Sequence, residues 1–328
     1  TLVNPFTFNG TTTLNPAGFS ASLTGVLSGA GGINIVDNLS LGTIGEVPNT
    51  YSGGTNISSN KTVTVNKSGA LGTGTVTMAD NTTLQFGASA TIPNAITVTG
   101  NTATINTAGF ASTLDGAISQ ALNTITNLII KGGNILTMNG VASHAGGTEV
   151  QGSTTLEAGI ANLFGGTNKS LALIGAGSTF NVTAGSQVLG NLNGDAGTLI
   201  NLGSNTLTFG TANDSTFKGV IQGNGGKVVK QGVGTWVVSG SNTYTGGTTI
   251  SAGTVQVGNS SAFGTGTITM TGSTTLKWGE NLTLANPFAL NGETTINPAG
   301  FTATLSDVLS GQGGLNIVDN LSLGTVGD

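Results

Sequence analysis

The chain has 328 residues, of which 37 % are hydrophobic and only 6 % charged, against roughly 25 % charged in average globular proteins. That balance argues against disorder, which needs low hydrophobicity with high net charge. A formal charge of −5, with eight Lys and no Arg, argues against nucleic acid as a partner, because phosphates are neutralised by clustered Lys and Arg. No apolar run approaches the ~20 residues of a membrane-spanning helix. No signal peptide stands at Thr1. With no Cys there are no disulfides and no thiolate metal sites, which also suits a chain that must stay unlinked while crossing an oxidising bacterial periplasm.

Taken along the chain, the predicted elements are short strands. Bursts of alternation stand at Thr62-Val63-Thr64-Val65, Thr75-Val76-Thr77-Met78, Thr267-Ile268-Thr269-Met270 and Thr274-Thr275-Leu276-Lys277-Trp278. A side-chain period of two puts Val, Ile and Met on one face and Thr on the other. β-Branched residues fit such a pleated surface. Gly, Asn and Asp interrupt every four to eight residues and supply turns. The stretch Phe110–Leu122 is the one place where a helical turn is a candidate.

The chain repeats itself. Residues 1–46 align without a gap on 283–328 with 33 identities in 46. A finer repeat lies inside: TYSGGTNIS at 50–58 matches TYTGGTTIS at 243–251, and KSGALGTGTVTM at 67–78 matches SSAFGTGTITM at 260–270. The phrase N-x-A-G-F recurs at Asn15–Phe19, Asn106–Phe110 and Asn297–Phe301, and G-G-T recurs at 53, 146 and 246. Residues 1–282 therefore read as one full tandem unit of three diverged sub-blocks, about 1–91, 92–200 and 201–282. Residues 283–328 begin the next unit, so the cuts at Thr1 and Asp328 fall in mid-repeat of a longer array. Short strands and repeats without long connectors predict an all-β, parallel β-helix, a β-solenoid continuous along the chain. At roughly 20 to 24 residues per coil it has roughly 14 to 16 coils, an elongated rod of roughly 70 Å at one inter-strand spacing per coil. A β-sandwich array and a propeller are the alternatives. The first would show independent Greek-key cores. The second would show a regular period of one four-stranded blade, which this sequence lacks.

One stretch is specific. GGKVVKQGVGTWVVSGSNTYTGGTTISAGTVQVG, residues 225–258, resembles the passenger-associated transport repeat of bacterial autotransporters, and weaker versions run through 47–66 and 145–160. The resemblance implies a secreted, surface-exposed passenger with a right-handed parallel β-helix, and adhesion, aggregation or stalk functions more often than enzymatic ones. Neither an outer-membrane barrel nor a signal segment accompanies it here.

The search for chemistry returns little. His144, with Glu149 nearby, could be a base or a metal ligand, but one His without Cys makes no zinc constellation, and a turn residue ahead of G-G-T is the plainer reading. Asp37 and Asp319 occupy the same repeat position, which suits a turn more than a catalytic acid. Asn191–Asp195 and Asn213-Asp214 are candidate weak calcium ligands that lack the G-G-x-G-x-D nonapeptide. Polysaccharide lyases and hydrolases on this scaffold need clustered carboxylates and cations; scattered acids and no Arg do not meet that requirement. The Thr-x-Thr pairs at 62/64, 73/75/77 and 265/267/269 read as ordinary outward strand faces rather than an ice-binding lattice. Aromatic and large apolar positions recur in register: Tyr51 with Tyr244, Phe86 with Trp278, Leu71 with Phe263, and Phe19 with Phe110 and Phe301. These are expected to stack inside the coil; a sugar-binding role would need them exposed. Asn-x-Ser/Thr sequons (Asn38, Asn60, Asn66, Asn81, Asn168, Asn181, Asn281, Asn320) are expected by chance in such a composition. No catalytic, cofactor-binding or metal-binding residue is assigned and no cofactor is expected. The function expected is structural and adhesive: an extracellular surface fibre or stalk built by coil stacking. Its partners would be neighbouring repeat units, like chains and a host or neighbouring cell surface. A carbohydrate-active enzyme or a glycan-binding passenger on the same scaffold is the alternative.

Overall fold

The computed structural model describes residues 1–43, 45–167 and 169–324. Every strand pairing among them is parallel, and no helix is present among the described residues. The chain divides into two units, Thr1–Gly165 and Gly166–Asp328.

In the first unit the chain winds repeatedly over three faces in the same order. The first face carries strands 12–14, 33–35, 55–57, 76–78, 96–98 and 118–120. The second carries 21–23, 39–41, 62–65, 82–86, 102–106, 127–131 and 148–150. The third carries 6–7 and 27–28, then 91–92, 112–114, 135–138 and 155–158. Between these two groups it has no strand, and 47–54 and 67–75 close the coil as turns. Each strand pairs with its counterpart one coil later: Ala21 meets Leu39, and Ile105 meets Ile130. The first of these coils is shorter than the expected length and the second slightly longer. Corner turns of different size supply the variation, while the strands stay in register. This is a parallel β-solenoid.

The second unit is built the same way. One face holds 171–173, 192–194, 215–217, 235–238, 253–257, 274–278, 294–297 and 315–317. The next holds 179–182, 199–201 and 220–222 and later 282–284, 303–305 and 321–323; turns at 239–247 and 258–267 fill the interval. The last holds 187–188, 206–209, 227–230, 248–250, 268–270, 288–290 and 309–310.

Alternation sorts the side chains. On the first face of unit one the inward row Ile33, Thr55, Val76, Ile96 and Ile118 is buried. Beside it the outward row is Thr13, Asn34, Asn56, Thr77, Thr97 and Ser119, polar and uncharged throughout. Each fully buried aliphatic contributes about 1.5–3 kcal/mol, and every coil covers the sheet edge of the last. Inward Trp236, Val255, Leu276 and Ile296 form the matching row in unit two.

The helical candidate Phe110–Leu122 is instead two strands, Ser112–Leu114 and Ile118–Gln120, with Ser112, Leu114 and Ile118 buried at period two. Gly116 turns the corner between them against the backbone of Asn94 and Ala95, where a Cβ would have no room. Stacking on the neighbouring coil, not local propensity, decides this stretch.

Candidate functional site: an interior clamp and three corner turns

The turn segments on the strandless side share one interior constellation. Asn49 is buried; its Oδ1 accepts from the Leu27 amide at 3.1 Å and its Nδ2 donates to the Ala70 carbonyl at 2.6 Å. Asn242 does the same with Ile221 at 2.7 Å and Ala262 at 2.5 Å. Each amide thus joins the coil before to the coil after. Two residues on, the phenols of Tyr51 and Tyr244 are fully buried and share hydrogen bonds with Thr55 (2.6 Å) and Thr248 (2.5 Å). Burial without a charged partner raises both phenol pKa values above the ordinary 10, the threonine bonds opposing this weakly. Asn94 and Asn286 repeat at a second position, donating to Gly74 (2.7 Å) and Gly266 (2.9 Å).

His144 stands in a turn of the same local form, at the first-face position of its coil, where Ala142 bridges to Ile118. It is fully buried, and its Nε2 lies 3.1 Å from Thr148 Oγ1. The Ser143 amide donates to Ile118 as Thr50 does to Leu27, and Ala142 donates to Leu163 as Asn49 does to Gly69. S-H-A-G-G-T is therefore the middle copy of T-Y-x-G-G-T, with Ala142 in place of the bridging Asn and imidazole in place of phenol. Its place ahead of G-G-T was legible, its interior position was not. The Asn bridges were missed, although the recurrence of N-T-Y-x-G-G-T was visible.

The N-x-A-G-F phrases are corner turns. Asn15, Asn106 and Asn297 each accept, through Oδ1, from the amide two residues on at 2.9 Å. Ala17, Ala108 and Ala299 (φ 55°, 47° and 56°) and the glycines after them (84°, 87° and 85°) are all left-handed. The amides of Phe19, Phe110 and Phe301 close the turn on Pro16, Thr107 and Pro298 at 3.2, 2.9 and 3.0 Å. Two successive positive φ values make a type I′-like turn. Here the expectation of inward stacking fails: Phe19, Phe110 and Phe301 are 78 %, 36 % and 39 % exposed, because the turn carries the residue after Gly outside the coil. The other paired positions, Tyr51, Tyr244, Phe86, Trp278, Leu71 and Phe263, are buried as expected.

The carboxylates cap backbone amides. Asp37 accepts from Gly18 (2.5 Å) and Asn38 (2.8 Å), and Asp319 from Gly300 (3.0 Å) and Asn320 (2.8 Å). These amides, with Lys61 at 3.2 Å, hold the Asp37 carboxyl below its ordinary pKa. In the calcium candidates, Asn193 accepts from Thr216, Asp195 from Gly175 and Asp214 from Thr235. Among the described residues no three His, Cys, Asp or Glu side chains come together as a metal set, and no helix is long and apolar enough to cross a membrane. Glu149 receives a bond from Gln151 at 2.7 Å. Lys230 is 1 % exposed; its Nζ donates to the carbonyls of Gln231, Gly232 and Ala252, and desolvation lowers its pKa to about 8, with Asp214 opposing. The Thr rows are broken, Thr64 pairing with Ser40 and Gln85. Of the sequon residues, Asn38, Asn66 and Asn281 bond to the neighbouring coil, while Asn168 lies outside the described residues, as does Asp328.

The interior Asn–Tyr–Thr clamp thus occurs twice with the same partners. The passenger-associated-transport-repeat family matches residues 43–59 and 228–257, the segments that hold Asn49, Tyr51 and Thr55 and Asn242, Tyr244 and Thr248. The chain is also similar to the adhesin BmaC autotransporter of Brucella suis biovar 1 (strain 1330), 35 % identical over 126 residues. That stretch is 38 % of this chain and spans 4 % of the relative's length. No solved structure matches. The chain thus carries passenger-associated transport repeats at two places and is similar to part of an autotransporter adhesin, a similarity that supports a location outside the cell at the bacterial surface.

Proposed function

We propose that this chain is a non-enzymatic, adhesive segment of an extended surface fibre, lengthened by stacking coils of one repeat on another, with like chains or another cell's surface as partners. One comparison within the molecule carries the reading. In the first copy of the repeat, Ile33, Ile35 and Leu41 are fully buried, because strands 55–57 and 62–65 pair on top of them. The row is thus buried by the coil laid on it, and the same residue types recur one period later as Leu315, Ile317 and Leu323. The adhesin relative and the engagement of carboxylates in turns support a role without catalysis. The test is a chain extended by a further copy of residues 43–282 after Gly324. Electron micrographs are expected to show particles lengthened in proportion, and Leu315–Leu323 should become protected from proteolysis. Compact particles of unchanged length, or continued cleavage there, would refute it.

A further inference from the structure

The phrase shared by residues 1–46 and 283–328 does not keep its place beside the clamp. In the first unit the clamp strand Thr55–Ile57 pairs with Ile33–Ile35, which pairs with Thr12–Leu14, all on the first face. In the second unit the clamp strand is Thr248–Ile250. Its column runs on through Ile268–Met270 to Phe288–Leu290 and Leu309–Ser310. Those last two strands are the copies of Phe6–Thr7 and Leu27–Ser28, which in the first unit lie one face before the clamp's. The copies of 12–14 and 33–35 are Thr294–Asn297 and Leu315–Ile317. They lie one face beyond the clamp's, in the column of Gly253–Val257 and Thr274–Trp278. Relative to its clamp, the same phrase is turned by one face.

Nothing in the phrase ties it to a particular face. Its internal register is kept: Thr12 meets Ile33 and Ala21 meets Leu39, as Thr294 meets Leu315 and Ala303 meets Leu321. Its buried residues find inward partners in either setting, Ile33 with Thr55 and Ile296 with Leu276. Parallel stacking asks only that inward positions fall on inward positions. Shorter phrases in the first unit show the same freedom. The strand after S-H-A-G-G-T, Thr148–Val150, lies on the second face, whereas Thr55–Ile57 lies on the first. What changes is the outside. Asn34 extends the clamp's own row, and its Oδ1 accepts from Asn56 at 2.8 Å. Its copy Asn316 extends the row Thr254, Thr275, Thr295. The clamp's row there is Thr249, Thr269, Ala289 and Ser310. The exposed rings move too: the Phe19 turn leaves the clamp's face, and the Phe301 turn stands one corner further on.

We propose that the phrase is a turning joint that rotates the display of a tandem array. In such an array each phrase stands between a clamp like 242–248 and a clamp like 49–55. The second unit places the phrase one face beyond the clamp before it. The first unit places the clamp after it on the phrase's own face. The two flanking clamps therefore occupy different faces, one step apart, and their outward polar rows look to different sides. A single flat partner cannot meet both rows at once, so avidity for one surface is not gained. The arrangement suits contact with several partners around the fibre, and it works against side-by-side bundling through one continuous face.

The chain has no Cys, so outward positions can be joined one pair at a time. Outward neighbours in adjacent coils stand about 4.8 Å apart, within the Cα separation of about 4.4–6.8 Å that a disulfide spans. Four double variants are oxidised: Asn34→Cys with Asn56→Cys, Thr269→Cys with Ala289→Cys, Thr275→Cys with Thr295→Cys, and Thr269→Cys with Thr295→Cys. Circular dichroism of the reduced forms checks folding, and the pairs at 269 and 275 read the same relation independently. The first three pairs are expected to close, with about tenfold less cross-linked product from the fourth by peptide mass spectrometry. Closure of 269 with 295 in place of 289 would overturn the proposal, because the phrase would then keep the clamp's face in both units. Failure of both 269 with 289 and 275 with 295 would overturn it as well. In the chain extended by residues 43–282 after Gly324, Asn316→Cys is expected to close with the same change at Asn56 of the added copy. Closure of that added Cys with Ser310→Cys instead would put both flanking clamps on one face and overturn the rotated display. The inference rests on the stacking of repeats. If the added coil does not stack, neither of these last pairs closes and fibre building falls with the display, while the pairs at 269 and 275 still report the turn of the phrase.

Discussion

Tyr51 and Tyr244 each keep a neutral phenol wholly inside the coil, bonded only to a threonine hydroxyl. Their folded pKa values lie above 10, so below pH 10 both states are neutral and the groups do not affect the pH dependence. Above pH 10 the unfolded chain ionises and the folded one does not, and stability is lost as pH rises. Lys230 acts in the opposite sense: between about pH 8 and 10.5 the folded chain releases a proton that the unfolded one keeps, and stability rises. Urea midpoints from pH 7 to 11 should therefore show a gain and then a decline. Lys230→Met should remove the gain, and Tyr51→Phe with Tyr244→Phe should flatten the decline. Replacing a bridging amide, Asn242→Ala, leaves the Ile221 amide and the Ala262 carbonyl without their partner and should cost about 1–3 kcal/mol in the denaturation midpoint. At this scale the sequence was only partly legible. Turn residues such as Asp37 and Asp319 could be placed, because an Asx side chain before a strand has few alternatives. The direction of a side chain at a corner could not: Tyr51 and Phe19 both sit in turns that begin with Asn, yet Tyr51 is buried and Phe19, after the left-handed Ala17 and Gly18, is exposed.

Among elements, the corners are where coils touch most closely. Gly264 (φ 62°) follows Phe263 in a turn packed on the Tyr244 backbone, and Gly72 (φ 67°) repeats this over Tyr51; a Cβ at either would strike a carbonyl oxygen of the coil below. Gly18 (φ 84°) is also left-handed but has open space around it. Gly264→Ala should therefore exceed about 4 kcal/mol, beyond the usual range of single substitutions, whereas Gly18→Ala should cost about 1–2 kcal/mol of backbone strain alone. Paired denaturation curves with unchanged slope measure the difference. The strands were legible because inward Val, Ile and Leu alternate with outward Thr and Asn. Ser112–Gln120 was ambiguous because Ala, Ser and Gln lack strong preference, and the neighbouring coils resolve it.

For the molecule as a whole, uncharged polar rows replace the usual charged coat. Ion pairs are few and local, as in Lys61–Asp37 and Lys67–Glu46. Lys61–Asp37 is a surface pair, contributing at most about 1 kcal/mol, and the Lys67 ammonium is buried and also held by the Val47 carbonyl, so that salt screens it little. Raising NaCl from about 0.05 to about 1 M should thus change the unfolding free energy by no more than about 2 kcal/mol, as read from thermal and urea unfolding at both salts. The parallel solenoid was legible from repetition itself, since a unit that recurs without long connectors has to pack on its own copy.

The register has a kinetic consequence. Within each unit a strand's partner lies a single coil further along the sequence, as Leu39 does from Ala21 and Ile130 from Ile105, so no pairing waits for a distant part of the chain. Low sequence separation removes most of the loop-closure entropy that slows β-proteins. A finished coil offers a complete template, and one more coil's worth of chain is enough to add the next. Growth can then proceed in step with delivery of the chain, leaving only one coil's length unfolded and open to proteases at any moment.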